Sequence, residues 1–385
     1  TQVVLLAGDA GAGLAAIEPH SGSLPPGVPS LLLHSHNGMG MPEECGGLGM
    51  GMIEASLVYE EMTRGDAGVA TAIGANALGS DPILLYGTPE QKRRYLTRVA
   101  EGTVAAYALT EPGAGSDAGG IRTIARPRED GESWDLHGQK TFITNAGVAE
   151  IYTIFALTNP ERGPRGASCF IAQVDPENPP PGLEFPRKFD KMGINASETR
   201  EIIFDGFTVT KENIVGGKPG RGFLQAMGIF DASRPMIGSM GVGLGRAAFE
   251  EALLYAHQRK QFGKPIIAFA GLRDMFVDMW LRIEGARAMV FEGARRVDRK
   301  HAGEKTDVTA WSAMAKFMGS EAGRVTLEAL QATGGYGYMN ETPFPKMVRD
   351  HKILEIYEGT NQIQREQTAL QMIKDHQKLG RAMPA

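Results

Sequence analysis

Residues 356–365 read IYEGTNQIQR, and one carboxylate, Glu358, stands between an apolar run and a glycine. Carboxylates are seldom fully buried unless they are paired or used. In the longer segment KILEIYEGT, Ile353, Leu354, Ile356 and Tyr357 commit the chain to a core and Gly359 ends it. Glu358 is therefore expected at the end of a packed element, near a ligand rather than in open water. There it could be a surface group, a structural partner or a general base. Glu355, three residues earlier, is the competing carboxylate and reads as structural.

Four other stretches could serve a ligand. YALTEPGAGSD (107–117) leaves a strand-like run and turns through Pro112, Gly113 and Gly115. Main-chain donors there, with the hydroxyls of Thr110 and Ser116, can cradle a polar, anionic or planar group, although a plain tight loop looks the same. In GQKTFITNAG (138–147), strand alternation puts Phe142 and Thr144 on one face. An aromatic beside a hydroxyl suits a flat ring with a polar edge, or an ordinary core. RKQFGKPI (259–266) reads as helix capping or as a phosphate clamp. QATGGYGYMNE (331–341) reads as a turn or as a close backbone approach to a ligand. Two lures are set aside. Gly11 to Ala16 match a dinucleotide-binding turn, but Pro19 cuts the helix short and no acidic residue follows LLLH. His34 and His36 lack acidic or Cys neighbours and read as loop histidines, so no metal site is expected.

These residues need elements to hold them. Residues 1–103 are rich in Ala, Gly and Met, with helices expected at MIEASLVYEEMTRGD and at TPEQKRRYLTRVAEG, where Thr88, Pro89 and Gln91 form a start signal. Residues 104–217 hold β-rich runs split by Gly, Pro, Asn and Asp, which predicts an antiparallel β domain. Residues 218–385 return to helical patterns, two of them over twenty residues long, DMFVDMWLRIEGARAMVFEGARRVDR and TAWSAMAKFMGSEAGRVTLEALQATGG. The net charge of −5 argues against nucleic acid as a partner. Only Cys45 and Cys169 are present, so no disulfide framework is suggested. No apolar run is long enough to span a membrane, and no targeting signal is visible.

No single stretch decides the function, but their order does. PEECGGLGMG, YALTEPGAGSD, GQKTFITN, KMGINASETREIIFDGFTV, FDASRP, RKQFGKPI, GGYGY, MVRD and IYEGTNQIQR occur in the order found in the acyl-CoA dehydrogenase family. From Met41 to Arg365 the chain resembles that family, most closely its medium-chain, straight-chain branch. The resemblance implies an α+β multidomain fold: an N-terminal helical domain, a central antiparallel β domain and a C-terminal helical bundle. It implies α,β-dehydrogenation of acyl-CoA to trans-2-enoyl-CoA in fatty-acid β-oxidation. Glu358 would be the α-proton base, with a hydride passing from the β-carbon to flavin N5. The substrate carbonyl would take hydrogen bonds from the Glu358 N–H and a flavin ribityl hydroxyl.

Other roles transfer by position. Tyr107, Leu109, Thr110 and Ser116 resemble residues around the flavin and the pantetheine arm. Phe142 and Thr144 resemble the strand against the isoalloxazine, and Thr360 and Gln362 flavin positions close to the base. Arg259, Phe262, Gln331 and Gly335 resemble groups that hold the ADP part of FAD on a neighbouring subunit. Phe230, Asp231 and Arg234 resemble the CoA-contacting run, and Tyr357 and Gly359 flank the base. The resemblance thus implies FAD, an acyl-CoA substrate, an electron-transfer flavoprotein as acceptor and a homotetramer. The compartment would be the mitochondrial matrix if eukaryotic and the cytoplasm if bacterial.

Departures from the family are informative. Ser233 stands where isovaleryl-type members carry a glutamate base, so straight chains are favoured. Phe142 replaces the Trp of medium-chain members, losing an indole N–H. Gly74 replaces a glutamate, which predicts a deeper acyl cavity and longer chains. Residues 1–38 do not resemble the family's opening helices. Competing readings are an acyl-CoA oxidase-like use of the flavin, a non-catalytic acyl-CoA-binding scaffold and, remotely, a nicotinamide enzyme.

Overall fold

A computed structural model describes residues 38–382. The expectations for Gly11–Ala16, His34 and His36 lie outside the described residues.

The first helical layer turns on one acidic residue. Helix α1 (Met52–Gly65) ends where Asp66 caps helix α2 (Ala67–Tyr86), accepting from the N–H groups of Gly68 and Val69 at 2.7 and 2.9 Å. The expected capping box at Thr88 and Gln91 forms, with both reciprocal bonds present. It opens helix α3, which runs over Pro89–Gln91, a π-turn at Lys92–Leu96 and Thr97–Ala100. The Gln91 amide also donates to the carbonyls of Glu212 and Ile214, tying α3 to the end of the β domain.

The sheet contains β1 (Ala105–Ala108), β2 (Ile124–Pro127), β3 (Ser133–Thr144), β4 (Ile151–Leu157), β5 (Ala167–Gln173), β6 (Leu183–Glu184) and β7 (Thr199–Thr210), in the order β1-β4-β2-β3-β7-β6 with β5 on β4. It is antiparallel for the most part, as the β-rich runs suggested. The departures are at β4, with which β1 runs parallel along its length and β2 at Ile124–Leu157. The β2–β3 hairpin lies between β1 and β4 in sequence and supplies the long connection that a parallel pair needs. Helix α2 packs directly on β1: a Cβ at Gly79 would come within 2.6 Å of the Ala106 nitrogen, so only glycine allows the approach. Thr153 Oγ1 donates to the Gly79 carbonyl at 2.9 Å across the same seam.

The C-terminal layer is built on the 37-residue helix α4 (Gly222–Gln258). A short hairpin follows, β8 (Lys260–Gln261) and β9 (Lys264–Pro265), then helices α5 (Ala270–His301), α6 (Thr309–Ala322), α7 (Val325–Thr333), α8 (Phe344–Leu354) and α9 (Asn361–Ala382). The second long helical pattern is thus two helices, broken at Gly323, where a Cβ would meet the His351 ring at 2.4 Å. Helices α4 and α6 touch backbone to backbone, because a Cβ on Gly319 would lie 2.2 Å from the Gly238 carbonyl oxygen. That contact fixes α6, and with it Lys316, against the first half of α4.

Candidate active site

Glu358 follows the end of α8 and precedes α9, in the left-handed region at φ 52°. A glutamate there is strained and stays only where its surroundings over-determine it. The restraints are visible. Gln364 Nε2 donates to the carbonyls of Glu358 and Gly359 at 3.1 and 2.9 Å. Buried Lys316 donates to the Gly359 carbonyl at 2.9 Å and to Asn361 Oδ1 at 3.0 Å, and Ser320 Oγ donates to the same Asn361 oxygen. Asn361 in turn donates to Glu321.

The Glu358 carboxylate accepts from Ser233 Oγ at 2.5 Å. Burial pushes its pKa above the ordinary glutamate range, against the opposing pull of the Ser233 hydrogen bond and the charges of Arg234 and Lys316. Among the described residues no group accepts from the Glu358 N–H. The residue therefore offers one raised, restrained carboxylate and one free main-chain donor. Glu355 differs in every respect: Arg324 and Lys352 pair with it at 2.8 and 2.6 Å, and its pKa is lowered.

The surroundings of Glu358 come from three layers. From α4, Arg234 is buried and bonds Asp231 at 3.2 Å, leaving its Nε without a partner; Asp231 also accepts from Thr309 at 2.6 Å. Phe230 packs edge-to-face on Tyr107 of β1, 5.9 Å between centroids. The Tyr107 hydroxyl is buried and unpartnered. Tyr357 is half-buried, its hydroxyl 3.7 Å from Met240 Sδ. Thr360 accepts from the Ile363 N–H at 3.4 Å at the start of α9, while Gln362 is exposed.

The floor of this region bears on the expectation for Gly74. A Cβ at Gly74 would stand 3.5 Å from the Tyr59 ring and 3.6 Å from the Met236 methyl. Tyr59 is almost fully buried. Tyr59 and Met236 thus border the place of the missing glutamate at ordinary contact distance.

The loop 109–123 is held by a pair that the sequence reading passed over. Lys140, fully buried on β3, donates to the Leu109 carbonyl at 3.0 Å and to Glu111 at 2.8 Å. Glu111 also accepts from the N–H groups of Arg122 and Thr123. Burial brings Lys140 down to about 8, against the pull of Glu111, and the Glu111 pKa is lowered by Lys140 despite its own desolvation. The Thr141 N–H donates to the Thr110 carbonyl at 2.9 Å. The Leu109 side chain points into the core, so only its backbone faces the loop, whereas Thr110 is half-buried and Ser116 exposed. A bulge after Lys140 re-aims β3, with Phe142 at φ 57°. Phe142 is 63% exposed and Thr144 half-buried, both away from the buried Ile143. The Phe142 ring rests on Phe189 at 5.0 Å.

The remaining candidates gather elsewhere. Arg259, Gln331 and Gly335 line one cleft of about 580 Å³ with Tyr255, Gln261 and Tyr336. The Arg259 guanidinium lies over the Tyr336 ring at 5.4 Å, and Gly334 and Gly335 face open space. Phe262 is not in this lining: it sits at the hairpin tip, 92% exposed, packed against Phe269. Another cavity, about 310 Å³, is lined by Tyr86, Gly228, Ala232, Lys300 and His301 beside the Phe230–Arg234 turn.

The chain sets a β domain between two helical regions and holds one restrained carboxylate, Glu358, after α8, and the comparisons name its family. Three family models match: the acyl-CoA dehydrogenase N-terminal domain over residues 35–103, the middle domain over 106–207 and the C-terminal domain over 220–373. A probable acyl-CoA dehydrogenase of Mycobacterium leprae is 41% identical over 331 residues, covering 86% of this chain and 82% of that protein. The solved structure of butyryl-CoA dehydrogenase from Megasphaera elsdenii superposes with a TM-score of 0.90 at 37% identity, covering 97% of each chain. An acyl-CoA dehydrogenase complexed with FAD from Bacillus anthracis gives 0.83 at 32% identity, covering 91% of this chain and 62% of that one. The chain belongs to the acyl-CoA dehydrogenase family and is an FAD-dependent oxidoreductase.

Proposed function

We propose that this enzyme dehydrogenates straight-chain acyl-CoA thioesters of short to medium length, with Glu358 as the α-proton base. The carrying observation is the Glu358 pair of groups: a carboxylate raised by burial and a main-chain N–H with no acceptor. A thioester α-proton is weakly acidic, so a desolvated carboxylate abstracts it better than a hydrated one. The N–H is then available for the charge that develops on the thioester oxygen. Ser233 orients the carboxylate. The Lys316–Asn361–Ser320 group and Gln364 hold the loop that carries it. Lys300, beside the Phe230–Arg234 turn, supplies positive charge for the phosphates of the CoA arm, while burial lowers the His301 pKa and leaves its imidazole as a neutral hydrogen-bonding group there.

The chain's residues also fit FAD, which when bound supplies the hydride acceptor. The exposed Phe142 with Thr144 presents a flat apolar face and a hydroxyl. The Arg259–Gln331–Gly335 cleft offers a cation, an amide and open glycine backbone suited to a nucleotide. The base and that cleft are far apart. Arg259 follows Ser233 by twenty-six residues along α4, roughly 39 Å of helix. One dinucleotide does not reach from the base to that cleft within one subunit, so the cleft serves a neighbour's cofactor. Exposed Leu254, Val277, Trp280, Leu281, Leu327 and Tyr338 on the same layer favour a homo-oligomer, in our reading a tetramer. The acceptor we assign is an electron-transfer flavoprotein rather than oxygen. Among the described residues no helix is long and apolar enough to cross a membrane.

Anaerobic mixing with acyl-CoAs from butyryl to palmitoyl tests the reading. Bleaching of the yellow flavin band should be fastest between butyryl-CoA and octanoyl-CoA. No bleaching with any chain would refute it, and fast reoxidation in air would favour the oxidase alternative.

A further inference from the structure

Two of the ordered motifs, KMGINASETR and MVRD, meet in the structure. Asp350 of the second lies on α8, 2% exposed, and its Oδ1 accepts from the Ile194 N–H of the first at 2.5 Å. Its Oδ2 accepts from Lys346, which also pairs at 2.9 Å with Asp66, the cap of α2. Ile194 is buried at φ 48°, a region that a β-branched side chain rarely enters. Such a residue persists only where its surroundings over-determine it. Here Asp350 holds the Ile194 N–H, the Ile194 carbonyl accepts from the N–H and Oγ of Ser197, and the side chain packs with Tyr59, Met236 and Leu354. Gly193 beside it lies so close on α8 that a Cβ would stand 2.6 Å from the Arg349 carbonyl.

The segment 189–198 is therefore a strap, pinned at its tip and at its base. The tip is held on α8, the helix that leads into the loop of Glu358. At the base, the Phe189 N–H donates to the Thr199 carbonyl at 3.0 Å, and the Glu198 carbonyl accepts from the Asn145 N–H at 2.9 Å. The Phe189 ring carries the exposed Phe142 ring at 5.0 Å. One strap thus joins the element that leads to the carboxylate with the aromatic face offered to the flavin. We propose that Asp350 is a positioning residue for the hydride step: by fixing the strap to α8 it holds the Phe142 face in register with Glu358. The proposal rests on the reading of Glu358 as base and of Phe142 as flavin face, and deepens it. Asp350 touches neither substrate nor cofactor. It acts through Ile194 and Phe189.

The test separates proton removal from hydride transfer. A CoA thioester with sulfur in place of the β-carbon can only trade its α-protons for deuterium, whereas butyryl-CoA must also give a hydride to bleach the flavin. Per bound FAD, Asp350→Ala should slow flavin reduction by about ten-fold or more, since the hydride step depends on near-attack geometry, and leave α-deuteration within about three-fold of wild type. Lys316 and Gln364 still hold the Glu358 loop in that variant. Phe189→Ala, which leaves the buried ion pair untouched, should give the same split. Amide hydrogen exchange, read without substrate, should quicken over 189–198 in Asp350→Ala and stay unchanged at the start of α9. Equal falls in flavin reduction and α-deuteration, or a fall in neither, would overturn the proposal, because a merely structural role lowers both with the folded fraction. Unchanged amide exchange over the strap would overturn it too. If Asp350→Ala does not fold, Phe189→Ala decides alone, by showing the split or by lacking it. Wild-type enzyme that neither deuterates the one thioester nor is bleached by the other refutes the dehydrogenation reading itself, and the proposal falls with it.

Discussion

Two ends of helix α4 have opposite characters. Near Ser233 and Arg234 the helix runs through the protein, and every candidate there is restrained by named partners: Glu358 by Ser233, its loop by Lys316 and Gln364, Asp231 by Arg234 and Thr309. Past its C-terminus, Arg259, Gln331 and Gly335 line an exposed cleft, and Phe262 stands bare at a hairpin tip. The difference teaches what each end needs. The first end finds its restraints within one chain, which suits the proposed base, since a base works only if its geometry and desolvation are set in advance. The second end is an exposed cleft beside apolar side chains, which under the proposal above a second copy covers.

The comparison can be broken at several points. Glu358→Gln should cost the largest effect, about a thousand-fold or more in the rate of flavin reduction by butyryl-CoA, with FAD retained. Stopped-flow absorbance checks this, and a near-normal rate would move the base elsewhere. Lys140→Met should come next. It leaves Glu111 buried without its cation, at a cost of about 3–5 kcal/mol in stability by denaturant titration; a cost below about 1 kcal/mol would show the pair relaxes to solvent.

At the exposed end, Arg259→Ala should weaken FAD retention roughly ten-fold, the loss of one charge-assisted hydrogen bond. The oligomer should loosen in parallel, since cofactor and assembly are linked by mass action. Gel filtration with flavin absorbance reads both together, and a fully flavinylated stable monomer would contradict the shared site. The smallest effect is electrostatic. The raised Glu358 pKa places the acid limb of kcat above the ordinary glutamate range, activity falling as pH drops through it. Ser233→Ala removes a hydrogen bond that favours the carboxylate, so the limb should move to higher pH by a fraction of a unit to about one unit. A shift to lower pH would mean Ser233 does not bond the ionised form.

The legibility of these regions in the sequence follows the range of the physics involved. Local signals were readable: the Thr88–Gln91 capping box, helix α1, the bulk of the β runs and the burial of Leu354 before Glu358, although Ile356, expected in the same core, is exposed. Motif order carried the family and, with it, the roles given to Ser233 and Arg259. Long-range pairs were not readable. Lys140 and Glu111 are twenty-nine residues apart, and Lys316 and Gly359 forty-three; no spacing rule joins them. Parallel pairing of β1 with β4 is invisible for the same reason, since it depends on a crossover rather than on side-chain alternation. Gly74 says nothing by itself of which neighbours border its place, here Tyr59 from α1 and Met236 from α4.

The central claim is that Glu358 itself takes the α-proton. A CoA thioester with sulfur in place of the β-carbon keeps the α-protons but has no β-hydride to give. Incubated with enzyme in heavy water, its α-position exchanges only through the base, and mass spectrometry counts the deuterium taken up. Wild type and Ser233→Ala should both exchange well above the uncatalysed rate, with Glu358→Gln at that background. Exchange by Glu358→Gln as fast as by wild type would contradict the assignment.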